Sequence, residues 1–189
     1  MSEPRFRLSA SGIAAGVVAM VAIVALSNYA VQFPINDWLT WGALTYPIAF
    51  LVTDLTNRTL GPKAARQVIY AGFALAVLLS IWLATPRIAV ASGSAFLVAQ
   101  LLDVAVFNSL RAGVWWRAPL VSSTLGSIVD TMLFFSLAFA GSGLPWITWA
   151  LGDFGAKMAM ATLMLLPFRL LMPALRPQIA KSDLPGTAS

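Results

Sequence analysis

The acidic residues of this chain stand inside apolar runs. Asp54, Asp103, Asp130 and Asp153 each lie among aliphatic and aromatic residues, accompanied by Asn57, Gln100, Ser127 and Lys157. An ionised side chain at the centre of a bilayer-spanning helix costs about 2.5–3.5 kcal/mol on the insertion scale, so each such residue is read first as functional. Steps of three and four place Tyr46, Phe50, Asp54 and Asn57 on one helical face. The same spacing groups Phe96, Gln100, Asp103, Phe107 and Arg111, and again Ser123, Ser127, Asp130 and Phe134. Each face unites a carboxylate, an amide or hydroxyl, and an aromatic ring. Such faces suit a discrete organic ligand better than a stream of ions. Asp153 and Lys157, four apart with the acid first, carry two readings: an ion pair within one helix, or groups that contact or couple to a substrate. Arg58 and Arg111, near helix ends, read as snorkelling cations, and Arg58 stands four residues from Asp54 as a rival partner for it.

The elements that position these residues follow from composition. The chain has 189 residues, 59% hydrophobic and 10% charged, with a mean hydropathy of +0.83. Soluble domains are about a quarter charged, so this is an integral membrane protein. A cytosolic enzyme, a nucleic-acid-binding domain and a disordered tail are excluded, and the net charge of +5 fits cytoplasmic loops rather than a nucleic-acid partner. With no Cys and no His, disulfides, thiolate chemistry and the commonest metal ligand are absent, and neither a metal nor a cofactor is expected. The predicted fold is all-α, one domain over 1–189 with six transmembrane helices at 13–33, 41–59, 66–84, 88–110, 119–140 and 146–172, then a flexible tail at 181–189. Turn residues break the runs at Pro34, Gly61-Pro62, Pro86, Gly113 to Pro119 and Gly141 to Pro145.

Charge orients the bundle. Arg5, Arg7, Arg58, Lys63, Arg66, Arg111, Arg117, Arg169, Arg176 and Lys181 fall on one side, against Arg87 on the other. The bias predicts both termini in the cytoplasm of a multi-pass protein in the bacterial inner (plasma) membrane. A cleaved signal peptide is the other reading of the first run, but its length and the even number of spans favour retention. Gly12 and Gly16 form a GxxxG in that span, usable for close helix packing or for a homodimer.

The run Tyr46-Pro-Ile-Ala-Phe-Leu-Val-Thr-Asp-Leu-Thr-Asn-Arg58, closed by Gly61, resembles the second-span motif of the queuosine precursor transporter family. Gln100-Leu-Leu-Asp-Val-Ala-Val-Phe107, Leu110-Arg111, Trp115-Trp116, Ser122 to Ser127, Asp130-Thr131 and Phe134-Phe135 resemble its second signature, and Asp153 and Lys157 fit its last span. The resemblance implies uptake of the small molecules 7-cyano-7-deazaguanine and 7-aminomethyl-7-deazaguanine for tRNA modification. For such a substrate the residue types predict Asp103 and Gln100 on the base edge, Phe50 and Phe107 stacking, Asp54 and Asp130 as further acidic groups, and Ser127 as a further binding residue. A guanine-like base presents two adjacent donors that one carboxylate accepts together, so the residue types agree.

Rival classes remain. The size and six-span plan also resemble the substrate-binding subunits of energy-coupling-factor importers, which work with partner ATPases; no Walker A sequence is present here. An intramembrane protease would need Lys157 with a serine of the fifth span.

Overall fold

The structure, a computed structural model, describes residues 10–30, 33–36, 38–83 and 85–174. Arg5, Arg7, Arg176, Lys181 and the tail expected at 181–189 lie outside the described residues. The order is α1 (Ala10–Ala30), a ribbon of β1 (Pro34–Asn36) and β2 (Leu39–Thr40), α2 (Trp41–Thr45), α3 (Ile48–Leu60), α4 (Pro62–Leu83), α5 (Pro86–Leu110), α6 (Arg117–Phe139) and α7 (Trp146–Ala174). Among the described residues, four helices are long and apolar enough to cross a bilayer: α1, α5, α6 and α7. With α4, they make an essentially all-α membrane protein.

Local chemistry sets the boundaries. Gly61 ends α3 at a φ of 88°, where a side chain would be strained, and Pro62 opens the next helix at once. The Thr85 hydroxyl caps α5 by accepting from the Ile88 amide, with Pro86 behind it. The stretch expected as one span at 41–59 is two helices. Pro47 has no amide hydrogen to donate, and the chain turns at Tyr46-Pro47 before α3 begins. α7 is continuous although it contains Pro167 and Pro173.

The shortest of the main helices holds the middle. α3 touches α1, α4, α5, α6 and α7, and Thr53, Asp54, Thr56, Asn57 and Thr59 are all buried on it. Its threonines are satisfied locally, with hydroxyls directed at the carbonyls of Ala49, Val52 and Leu55 one turn back. Around it lie two apolar cores. One joins Met20 and Val24 of α1 with Val68 and Ile69 of α4 and Phe96 of α5. The second joins Leu55, Phe107, Ala118, Phe168 and Met172.

Three arginines fasten helix ends. Arg58 donates to the Arg111 carbonyl, and Arg111 Nη2 donates to the carbonyls of Asn57 and Arg58, each at 3.1 Å. Rather than snorkelling outwards, the two cations cap each other's helix C-termini, where the dipole favours positive charge. At the opposite end, Arg87 donates to the carbonyls of Leu137 and Ala140 at 2.8 and 2.6 Å. The one cation expected on the outer side thus closes the end of α6.

Gly16, half of the GxxxG, is turned into the molecule. A Cβ there would stand 2.9 Å from Val68 Cγ2 and 3.1 Å from Thr56 Oγ1. α1 therefore packs on α3 and α4 through this contact. Gly16→Leu is expected to cost about 1–3 kcal/mol by overpacking, read as a lowered melting temperature in detergent, while Leu at the exposed Val18 leaves it unchanged.

Candidate functional site

Two buried polar clusters occupy the bundle. The first surrounds Lys157 of α7, which is 4% exposed. Its ammonium lies 2.6 Å from Asp130 Oδ2 and 2.5 Å from Asp153 Oδ2. Thr131 bridges them: its hydroxyl donates to Asp153 Oδ2 at 2.9 Å and accepts from Lys157 at 3.2 Å. Tyr46, at the break before α3, donates to Asp130 Oδ1 at 3.3 Å, and its ring centroid lies 5.7 Å from the Lys157 nitrogen. The ion pair foreseen between Asp153 and Lys157 is thus one arm of a larger clamp, and the lysine's three N–H groups all meet oxygen. Thr131 carried no spacing signal in the sequence; its only mark was its place beside Asp130.

The second cluster lies between α3, α5 and α6. Ser122 and Ser123 of α6 donate to the two oxygens of Asp54, each at 3.4 Å. The carboxyls of Asp54 and Asp103 lie against one another across α3 and α5. Beside them, the Thr53 hydroxyl stands 2.7 Å from Gln100 Oε1, and Asn57 Nδ2 donates to the Val104 carbonyl at 3.1 Å. Arg58, the rival partner weighed for Asp54, is engaged with the end of α5 instead.

A cavity joins the clusters. Phe50 and Asp54 of α3, Ser123 and Ser127 of α6, and Lys157 and Phe168 of α7 line it. Its volume is about 10 Å³, the room of one water molecule. Gly126 fixes one wall, since a Cβ there would stand 2.7 Å from Phe50 Cε1. Of the residues expected at a site, Phe50, Asp54, Ser127 and Lys157 meet here. Gln100, Asp103 and Phe107 do not line the cavity: all three are fully buried behind it, and the Phe107 ring packs edge-on against Phe168 at 6.1 Å. Asp130 and Asp153 bear on the cavity through Lys157. Phe168 and Ser123 complete it; Ser123 shares its helical face with Ser127, whereas Phe168 had no polar company to single it out.

The donor set suits a flat, uncharged or weakly charged heterocycle: a carboxylate, hydroxyls and two aromatic rings line one small cavity. It holds no acid, base and nucleophile arranged for covalent chemistry, since the lysine a Ser-Lys mechanism would need is bound to two carboxylates.

Comparison with known proteins places the chain in a family. The family model described as "Putative vitamin uptake transporter" matches residues 40–85 and 79–172. A Haemophilus influenzae protein named "Probable queuosine precursor transporter" is 38% identical, over 78% of this chain and 80% of its own length. The "Queuosine precursor transporter" of Escherichia coli is 36% identical, over 77% and 79% respectively. A Bacillus subtilis protein named "Probable queuosine precursor transporter" is 27% identical over 54% of this chain and 57% of its own. No solved structure matches. With the family model running through every helix from α2 to α7 and two relatives above one-third identity along most of both chains, this protein belongs to the queuosine precursor transporter family.

Proposed function

We propose that this protein imports 7-cyano-7-deazaguanine and 7-aminomethyl-7-deazaguanine across the bacterial inner membrane, for salvage into modified tRNA. The observation that carries the reading is the convergence of Phe50, Asp54, Ser127 and Phe168 on one cavity between α3, α6 and α7. Asp54 accepts the ring N–H and exocyclic amine of the base together, the Ser127 hydroxyl serves the ring carbonyl, and Phe50 and Phe168 stack on the faces. Two serine donors keep the Asp54 carboxylate oriented. Gln100 and Phe107 act from behind, by holding α3 and α7 in place. The six spans are α1, the α2–α3 pair, α4, α5, α6 and α7, with both termini cytoplasmic; a broken span beside a central site is a recurring transporter device.

A cavity the size of one water must widen to admit a bicyclic base, so the helices part during transport.

Uptake of labelled 7-cyano-7-deazaguanine by the purified protein in liposomes tests the reading, alongside binding of both precursors, queuine and guanine. Binding without uptake would turn the reading towards a subunit served by a partner ATPase, and no binding of any deazaguanine would end it. Asp54→Asn should weaken precursor binding by about 10- to 150-fold, the loss of a charged acceptor worth about 1.5–3 kcal/mol; unchanged affinity removes Asp54 from the site. Gly126→Ala should push the Phe50 ring aside and lower affinity about tenfold, measured by titration calorimetry. Lys157→Met should destabilise the fold by about 3–5 kcal/mol, because the buried Asp130 and the part-buried Asp153 lose their counter-charge. Adding Asp130→Asn and Asp153→Asn should restore most of the melting temperature.

A further inference from the structure

Asp103 does not line the cavity, yet it is the most isolated acid among the described residues. It is fully buried, and among the described residues neither of its carboxyl oxygens has a hydrogen-bond partner. Its polar neighbours are the Asp54 carboxyl and the Ser122 hydroxyl. Asn57 Oδ1 is likewise buried and unpartnered, on an amide anchored to the carbonyl of Val104, the residue after Asp103. Three buried acceptor oxygens without hydrogen-bond partners, two on Asp103 and one on Asn57, thus stand on the facing helices α3 and α5, and the Gln100 Nε2 donor one turn before Asp103 is likewise unpartnered.

Among the described residues, no fixed cation answers them. On α3, Arg58 is engaged with the Arg111 carbonyl, and on α5, Arg111 is bound to the end of α3. α6 offers Ser122 and Ser123 hydroxyls, both directed at Asp54. Lys63 and Arg66 of α4 are exposed, and the described part of α1 has no charged residue. Lys157 of α7 shares the cavity with Asp54 but is clamped by Asp130 and Asp153. Between Asp130, which is buried, and Asp153, which is part-buried, stands a lysine; at Asp54 and Asp103 the described residues place none.

We propose that Asp54, Asp103 and Asn57 Oδ1 form a binding site for one small monovalent cation, a proton or a sodium ion, that is carried with the substrate. Two carboxyls in contact in a medium without water need a positive charge between them. A lysine would supply it permanently, whereas a mobile ion supplies it only while bound and so gives the transporter something to couple to. Asp54 is the shared element, facing the cavity on one side and Asp103 on the other. With the cation held by Asp103, the Asp54 carboxylate is left to accept the paired donors of the base. Without it, two like charges oppose each other and the ligand finds a poor acceptor. Each occupant thus favours the other, and by linkage the effect is equal in both directions. The inference rests on the substrate reading above for the identity of the cargo, but not for the existence of the ion site.

The test begins without substrate. The melting temperature of the purified protein is followed across a pH series in sodium-free buffer, and across a sodium series at alkaline pH. One of the two ions is expected to stabilise the wild type by several degrees, and Asp103→Asn to abolish that response. Asn57→Ala separates the sources: it removes an ion ligand and weakens a sodium response, but leaves a proton response intact. In liposomes, an inward gradient of the responding ion should raise accumulation of labelled 7-cyano-7-deazaguanine about tenfold or more in the wild type. Asp103→Asn should keep substrate counterflow while losing that accumulation. If the Asn variant does not fold, Asp103→Glu should shift the half-effective ion concentration at least about tenfold, and an unchanged value overturns the proposal. So do a wild type insensitive to both ions, an Asp103→Asn protein that keeps the response, and an Asp103→Asn protein that loses ligand binding itself. A wild type that takes up no deazaguanine defeats the substrate reading alone, since the melting series still decides the ion site.

Discussion

A charge enclosed by hydrocarbon has to be matched from within the molecule, and the Lys157 clamp shows how much of the architecture that requirement organises. The ammonium draws Asp130 from α6 and Asp153 from its own helix, and Tyr46 comes from the break before α3. Three elements far apart in the chain are brought to one point. In water such pairs contribute little, but here leaving any member unmatched strands a buried charge, so the contacts are obligatory. The clamp also fixes where α7 stands relative to α6, and hence the width of the cavity whose wall Lys157 forms.

The same rule governs the neutral polar groups. α3 is rich in side chains that lipid would reject, and the fold shields it on all sides with other helices. Its threonines turn back on their own carbonyls, and its last turn is closed by an arginine from α5 that it repays in kind. The carbonyls at the end of α6 are closed likewise by Arg87. Basic residues that orient a membrane protein are used here a second time, to finish helices.

Much of this was legible in the sequence because helical spacing reports faces. Phe50, Asp54 and Asn57 share a face of α3, and the i,i+4 order of Asp153 and Lys157 announces their contact. Spacing does not report which face meets which. That Asp54 finds Asp103 and two serines, that Lys157 reaches across to Asp130, and that Phe107 spends its ring on Phe168 all depend on how neighbouring helices are rotated. The split of the second span was encoded by Pro47, but a proline in an apolar run is compatible with a kink, a break or an unbroken helix. α7 carries Pro167 without breaking. Gly16 made the converse point: a motif suited to meeting another helix was present, and the helix it meets here belongs to the same chain.

The polarity of α3 has a consequence for how the protein is made. A thirteen-residue helix with Asp54, Asn57 and Arg58 gains too little from its aliphatic residues to leave an aqueous translocation pore for lipid on its own, given the cost of each ionisable group. Its entry into the bilayer depends on neighbours already there or arriving with it, above all α4, joined to it through Gly61, and α1, which packs along it at Gly16. Membrane insertion and tertiary packing are then one event for this segment rather than two successive stages. Damage to the helix contacts around α3 would be felt first by the cell's insertion and quality-control machinery, as chains that never become integrated, before it appeared as any change in transport.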